Sequence, residues 1–171
     1  MTAFQSTVNI TYAFGVPGEF NKDGPRRVVR RPINSGGANP NVIGYAYTAA
    51  NGTGVASVGG AITNGTSIFA GILANPKEYS SSGGSSGPLS PTLTLPDNSE
   101  GDFVLMGNGL VVALTTAANM GDQVIYNTTT GALAAVAPGA AAGAGNAYVP
   151  NCFVEEVVNA AAGLVSIRLT N

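Results

Sequence analysis

The hydrophobic and polar positions along the chain predict short β-strands from residue 42 onward. Residues 42–48 carry aromatic and branched side chains and lead into Asn51-Gly52, a pair typical of tight hairpin turns. Residues 55–58 are the predicted return strand. The apolar run over residues 68–73 is short and suits a strand that is buried on both faces.

The second half of the chain predicts a meander of further strands. They cover residues 92–95, 102–106, 110–115, 123–127, 132–136, 148–158 and 164–169. Asn108-Gly109 predicts a turn, and residues 155–162 also fit a short helix capped by Gly163. Short strands with turn residues between them indicate an all-β fold, either an antiparallel β-sandwich or a small barrel.

The first 41 residues follow neither a helical nor a strand period. Pro17, Pro25, Pro32 and Pro40 each remove a backbone donor and favour extended geometry in the preceding residue. We therefore predict an extended N-terminal arm over residues 1–41 and a single β-rich domain over residues 42–171. Two stretches rich in Gly, Ser and Ala predict long loops, at residues 75–91 and 137–147.

Charge is scarce and unevenly placed. Charged residues make up 9% of the chain, against about 25% in an ordinary soluble domain. A surface so poor in charge is weakly protected against association, which suits a protein packed against copies of itself or a partner. Five of the seven basic residues lie within residues 22–31, whereas seven of the nine acidic residues lie from Glu78 onward.

Three general features limit the cellular context. No apolar stretch of about 18 residues occurs, so no membrane span is predicted, and the N-terminus does not have the pattern of a signal peptide. Cys152 is the only cysteine, which excludes an internal disulfide and fits synthesis in a reducing cytoplasm. Its apolar neighbours suit a small core residue rather than a reactive thiol.

Residue types that commonly carry catalysis are sparse. The chain has no histidine, the commonest general base and zinc ligand. Glu100 and Asp102 lie two apart on a predicted strand, a spacing that places both carboxylates on one side, but a solvated strand end explains them more simply. Glu155 and Glu156 are predicted to point to opposite faces. We therefore predict no catalytic, metal-binding or cofactor-binding residues and no enzyme activity.

The basic cluster of Arg26-Arg27 and Arg30-Arg31 has three interpretations. Nucleic-acid binding is disfavoured because no aromatic residues are interleaved with the arginines and the pI is about 4.9. A solvated loop remains open. Docking against an acidic protein surface is preferred, because arginine guanidinium groups match carboxylates in a two-pronged geometry.

Several short motifs, in their order along the chain, are similar to the capsid cement (head decoration) proteins of tailed bacteriophages. The motifs are Phe4-Gln5, AFGVPGEF at residues 13–20, FAGIL at 69–73, NPKEY at 75–79, GDQVIY at 121–126 with Gly131, and GLVSIRL at 163–169. The resemblance spans nearly the whole chain. The departures from the family pattern are the Ser/Gly loop at 80–87, the Ala/Gly segment at 137–147 and the paired arginines.

The resemblance implies a virion structural protein that binds the major capsid protein and stabilises the mature head at subunit junctions. It also implies a homotrimer on the capsid exterior, made in the host bacterial cytoplasm. From the residues themselves we expect no cofactor, nucleic acid or membrane partner. The predicted capsid-contact residues are Phe4, Tyr12, Phe14, Val16, Phe20, Arg26, Arg27, Arg30 and Arg31. The alternative is a head-fibre or adhesin-type β-sandwich that binds a host surface or carbohydrate, for which six Tyr and no Trp offer a poor stacking surface.

Overall fold

A computed structural model describes residues 15–37, 39–75, 94–157 and 163–170. Within these ranges the chain forms strands and no helix, so the all-β prediction is confirmed. The strands are β1 (Arg27–Pro32), β2 (Asn41–Val42), β3 (Ala46–Ala50), β4 (Ala56–Val58), β5 (Ser67–Leu73), β6 (Thr94–Leu95), β7 (Glu100–Ala113), β8 (Gln123–Asn127), β9 (Leu133–Val136), β10 (Asn146–Val157) and β11 (Leu164–Leu169). The described residues include no helix that could span a membrane.

One large antiparallel sheet dominates the described structure. Its strand order is β4-β3-β5-β7-β11-β10-β8-β9, with β1 added beside β7, while β2 and β6 form a separate two-stranded sheet. Residues from both ends of this order share one buried cluster, including Ala46 and Ile72 from the first half and Tyr126 and Leu133 from the second. The sheet is not closed into a barrel. Of the two predicted architectures, the β-sandwich is therefore the one that fits.

Strand β7 belongs to both halves of the sandwich. Its first half pairs with β1 and β5, and its second half pairs with β11. The predicted turn at Asn108-Gly109 is wrong, because the chain continues through these residues as one strand. Gly109 is instead an extra residue between Asn108 and Leu110, which pair with consecutive residues of β11. This is a β-bulge, and such bulges commonly use glycine at positive φ, here +76°.

The core lies on both faces of the first half of the sheet. One buried cluster fills the space between the two halves. A second, which includes Tyr47, Phe103 and Leu95, lies on the opposite face and is covered by the small β2–β6 sheet. Residues 70–73 of β5 are all buried, with Ile72 in the first cluster and Leu73 in the second. The prediction of a strand buried on both faces is confirmed there.

The hairpin between β8 and β9 connects the second half of the sandwich to the first. The backbone N–H of Ala46 donates to the carbonyl of Gly131 at 3.0 Å, and the N–H of Gly60 donates to Thr128 at 2.6 Å. The Tyr126 hydroxyl donates to the carbonyl of Gly60 at 2.9 Å. Because these bonds join segments that are distant in sequence, they fix how the two halves face each other.

Other strand predictions had mixed outcomes. The strands over residues 123–127 and 164–169 have the predicted limits. The possible helix over residues 155–162 is a strand as far as Val157, and residues 158–162 lie outside the described ranges. Strand β1 was not predicted, because the prolines around it suggested an arm without regular pairing.

Candidate functional site: the basic segment along strand β7

Residues 18–21 of the predicted arm pair with the second half of β7. The N–H of Gly18 donates to the carbonyl of Val111, and the N–H of Val111 donates to Glu19, both at 2.8 Å. The N–H of Asn21 donates to the carbonyl of Gly109, also at 2.8 Å. This pairing continues the antiparallel sheet, so the start of the basic segment has a fixed place on the body.

Strand β1 resumes the pairing with the first half of β7. Its register runs from Arg27 opposite Met106 to Pro32 opposite Glu100. Between the two paired stretches, residues 22–26 form no strand. The division of the chain at residue 41 stays a prediction, while residues 27–32 are a strand of the large sheet.

Gly18 lies in a tight space at the start of this segment. A Cβ atom there would be 2.4 Å from Cγ2 of Ile43 and 2.7 Å from the backbone nitrogen of Asn75, and the φ of Gly18 is +84°. That same nitrogen of Asn75 donates to the Gly18 carbonyl at 2.9 Å. Only glycine combines this φ with so close an approach to backbone atoms.

Phe20 and Arg26 interact across the unpaired stretch. Phe20 is half-buried and packs against the main core cluster. The Arg26 guanidinium carbon lies 4.8 Å from the centroid of its ring, which is a cation–π distance. Phe20, a predicted capsid-contact residue, therefore contributes to packing on its own body.

Arg30 forms a two-pronged ion pair with Asp102 on β7. Arg30 Nε donates to Oδ1 at 2.8 Å, and the second bond, from Arg30 NH2 to Oδ2, is 3.1 Å long. Asp102 is one of the two carboxylates considered above for catalysis, and here it holds an arginine in the geometry that favours such pairs. Among the described residues no group of three or more His, Cys, Asp or Glu could hold a metal ion.

Lys22 contacts both adjacent glutamates of β10. Its Nζ lies 3.5 Å from Oε1 of Glu155 and 3.2 Å from Oε2 of Glu156. The prediction that these glutamates point to opposite faces is therefore wrong. The register between β10 and β11 shifts between Val154 and Glu156, so Glu155 is an extra residue of a β-bulge, and bulges redirect side chains.

The electrostatic balance at Lys22 favours its charged form. Partial burial lowers the pKa of Lys22, but the hydrogen bond with Glu156 and the charges of Glu155 and Glu156 together outweigh this effect, so that the pKa is raised. The Lys22 side chain is 38% exposed. Water therefore screens these ion pairs considerably.

The other predicted contact residues are placed differently. Val16 is 42% exposed. Arg27 is exposed and lines a shallow groove with Phe69, Leu105, Pro150, Asn151 and Thr170. Arg31 is half-buried, and its Nε has no hydrogen-bond partner in the described part of the chain. Phe4, Tyr12 and Phe14 lie outside the described residues.

Two features of this region are not evident from the sequence. Lys22 is one of five clustered charges there, and Gly18 is part of a short motif, with nothing local to distinguish either residue. The two adjacent glutamates at positions 155 and 156 indicate a basic partner. No local sequence pattern identifies which basic residue that partner is. The prediction for Cys152 is confirmed: the thiol is fully buried in the main core cluster, and burial raises its pKa.

Comparison with known proteins identifies the class to which this fold belongs. Residues 4–170 match the family described as structural cement protein (E217 gp24/Pam3 gp6). The chain therefore belongs to this phage structural cement protein family, and the predicted role as a capsid cement protein is confirmed. A search of curated proteins found no match.

A solved structure shares the fold along the whole chain. It comes from "The capsid of Myoviridae Phage XM1", with a TM-score of 0.60 and 17% sequence identity over 99% of this chain and 99% of that one. At this level of identity the likeness establishes the fold. The details of the surface must be argued from the residues of this chain.

Proposed function

We propose that this cement protein binds the major capsid protein on the exterior of the phage head and stabilises the mature shell at subunit junctions. The match to the cement family over residues 4–170 is the observation that carries this proposal. A protein that binds only the mature form of the shell stabilises that form by mass action. The proposal assigns the chain no chemical reaction.

We propose that the contact with the shell is made by the predicted arm, including its basic segment at residues 22–31. The residues are Phe4, Tyr12, Phe14, Val16, Phe20, Arg26, Arg27, Arg30 and Arg31. Arg26, Arg27 and Arg31 form no ion pair with a described residue, so their charges are available to carboxylates of the shell. Arg30 and Phe20 have partners on the body as well and connect the contact surface to it.

Assembly and location complete the proposal. The resemblance to head decoration proteins supports a homotrimer on the shell, synthesised in the host bacterial cytoplasm. The charged fraction of 9% supports self-association, because so few charges oppose contact between copies.

The contact surface can be tested by binding to mature heads that lack the protein. We expect Arg27→Glu to weaken co-sedimentation with these heads by roughly tenfold, because it places a negative charge against an acidic surface. The loss should decrease at high salt, which screens exposed charges. Arg168→Glu is the matched control, since Arg168 is also exposed but belongs to β11.

A second set of variants tests the arm. Replacing Phe4, Tyr12 and Phe14 together by alanine should reduce retention on mature heads and lower the temperature at which those heads rupture. Binding equal to that of the unmodified chain would contradict the arm contact. Equal losses for Arg27→Glu and Arg168→Glu would contradict the assignment of the basic segment.

A further inference from the structure

We infer that Lys22 is a positioning residue whose ion pairs with Glu155 and Glu156 fix the path of residues 22–26, the unpaired stretch that leads to Arg26 and Arg27. Lys22 acts through the placement of these arginines and does not touch the shell. This inference rests on the proposed function, since it concerns how the proposed contact segment is held.

The geometry at Lys22 is built by two β-bulges in strands on either side of β11. Gly109 is the extra residue of β7, and Glu155 is the extra residue of β10. The two bulges are joined, because the N–H of Gly109 donates to Oε2 of Glu155 at 3.2 Å. Lys22 packs over the first bulge, where a Cβ on Gly109 would lie 2.7 Å from Cβ of Lys22.

The place of Lys22 along the segment explains why a side chain is needed there. The backbone pairing that begins at Gly18 ends with the bond from Asn21 to Gly109. Pairing with β7 resumes only at Arg27. Lys22 is the first residue of the unpaired stretch, so its ion pairs extend the attachment of the segment from β7 across to β10.

The local charge argues against a direct contact with an acidic shell. One ammonium faces two carboxylates within 3.5 Å, so the group of Lys22, Glu155 and Glu156 carries a net negative charge. A negative group repels an acidic surface. The arginines of the same segment differ in this respect, because Arg26, Arg27 and Arg31 have no such carboxylate neighbours among the described residues.

Exchanging the charges of residues 22 and 156 distinguishes a positioning role of Lys22 from a direct contact between Lys22 and the shell. Lys22→Glu places three carboxylates together and should weaken binding to mature heads by about fivefold. Combining Lys22→Glu with Glu156→Lys restores one ammonium between two carboxylates and the original net charge, while residue 22 stays negative. We expect this double variant to bind like the unmodified protein. A double variant as weak as Lys22→Glu, with normal thermal stability, would overturn the inference by showing that residue 22 meets the shell.

A distance measurement reports the position of residues 22–26 directly. Spin labels on Gly24→Cys, where an added Cβ meets only ordinary contacts, and on Ala141→Cys should give a broader distance distribution in Lys22→Glu and the original distribution in the double variant. An unchanged distribution in Lys22→Glu would also overturn the inference. The alanine variants of Phe4, Tyr12 and Phe14 test the proposed function separately. If that function is wrong, these variants bind mature heads like the unmodified protein, while the distances measured for Lys22→Glu and the double variant stay as expected.

Discussion

Asp97 organises a long loop through one carboxylate. It accepts hydrogen bonds from the side-chain amide of Asn41 at 2.8 Å and from the backbone N–H groups of Ser35 at 2.9 Å and Gly37 at 3.0 Å. The bond from Asn41, followed by those from Ser35 and Gly37, holds the pKa of Asp97 below its ordinary value of 3.8, although slight desolvation opposes the shift. The ionised form is therefore favoured by the folded state.

The sign of this pKa shift predicts a pH dependence at Asp97. The stabilisation is fully present above pH 3.8 and is lost as the pH falls through the lower pKa of the folded state. We expect Asp97→Asn to lower the melting temperature at pH 7 by about 2–4 °C and to flatten its decline in acid. Thermal unfolding followed by circular dichroism between pH 7 and pH 2 measures both effects. Asp23→Asn, at an exposed position, should change neither, and an equal effect of the two variants would refute the prediction.

At the scale of the strand, Gly109 determines whether the basic segment can lie against β7. A Cβ at this position would approach both Oδ1 of Asn21 and Cβ of Lys22 to 2.7 Å. We expect Gly109→Ala to destabilise the fold by more than the roughly 1 kcal/mol that a positive φ alone costs. Faster hydrogen exchange at the amides of Gly18 and Asn21 should accompany the loss.

Gly65→Ala provides a matched control for Gly109. Gly65 has a φ of +80° and no atom within 4 Å of its added Cβ, so it reports the cost of the backbone conformation alone. Urea unfolding of both variants gives the difference. Equal destabilisation by the two substitutions would show that the crowding at Gly109 has no energetic effect.

The individual strands also show how much of the fold can be predicted from the sequence. Strands such as β5, β8 and β11 were predictable because their apolar runs are bounded by turn residues. Asn108-Gly109 was misread because a glycine at positive φ serves a hairpin turn and a bulge equally well, and only the pairing of distant strands decides between them. β1 was missed since prolines suggest irregular structure, although an added strand tolerates Pro32 at its end.

The candidate site was predictable only in its composition. The cluster of basic residues is evident from the sequence, and its docking against an acidic partner surface stays a prediction. Two of its members, Lys22 and Arg30, find carboxylates on their own body. The partners lie far away in sequence, since Arg30 and Asp102 are 72 positions apart, and no local pattern specifies such a pair.

At the scale of the whole molecule, β7 should make unfolding a single event. Both halves of the sandwich share this strand, and the turn after β8 is hydrogen-bonded to the first half. The loss of either half therefore removes bonding partners from the other, and this coupling favours an all-or-none transition.

Cys152 offers a probe of this cooperativity. Its thiol is fully buried in the second half of the sandwich, so a thiol reagent should reach it only when the chain unfolds. We expect the urea midpoint from labelling of Cys152 to coincide with the midpoint from far-ultraviolet circular dichroism. Thr116→Cys, on an exposed residue, should label at all urea concentrations. A midpoint for Cys152 well below that of circular dichroism would indicate that the second half opens alone.

The sharing of β7 also constrains how the protein is made. The residues joined around this strand are synthesised at very different times: Asn21 and Ser166, whose side chains meet at 3.4 Å, are separated by 145 positions. β11, which pairs with the second half of β7, is synthesised after β1–β10. Until β11 emerges, the nascent chain carries an open sheet edge along β7, and such edges are prone to join one another.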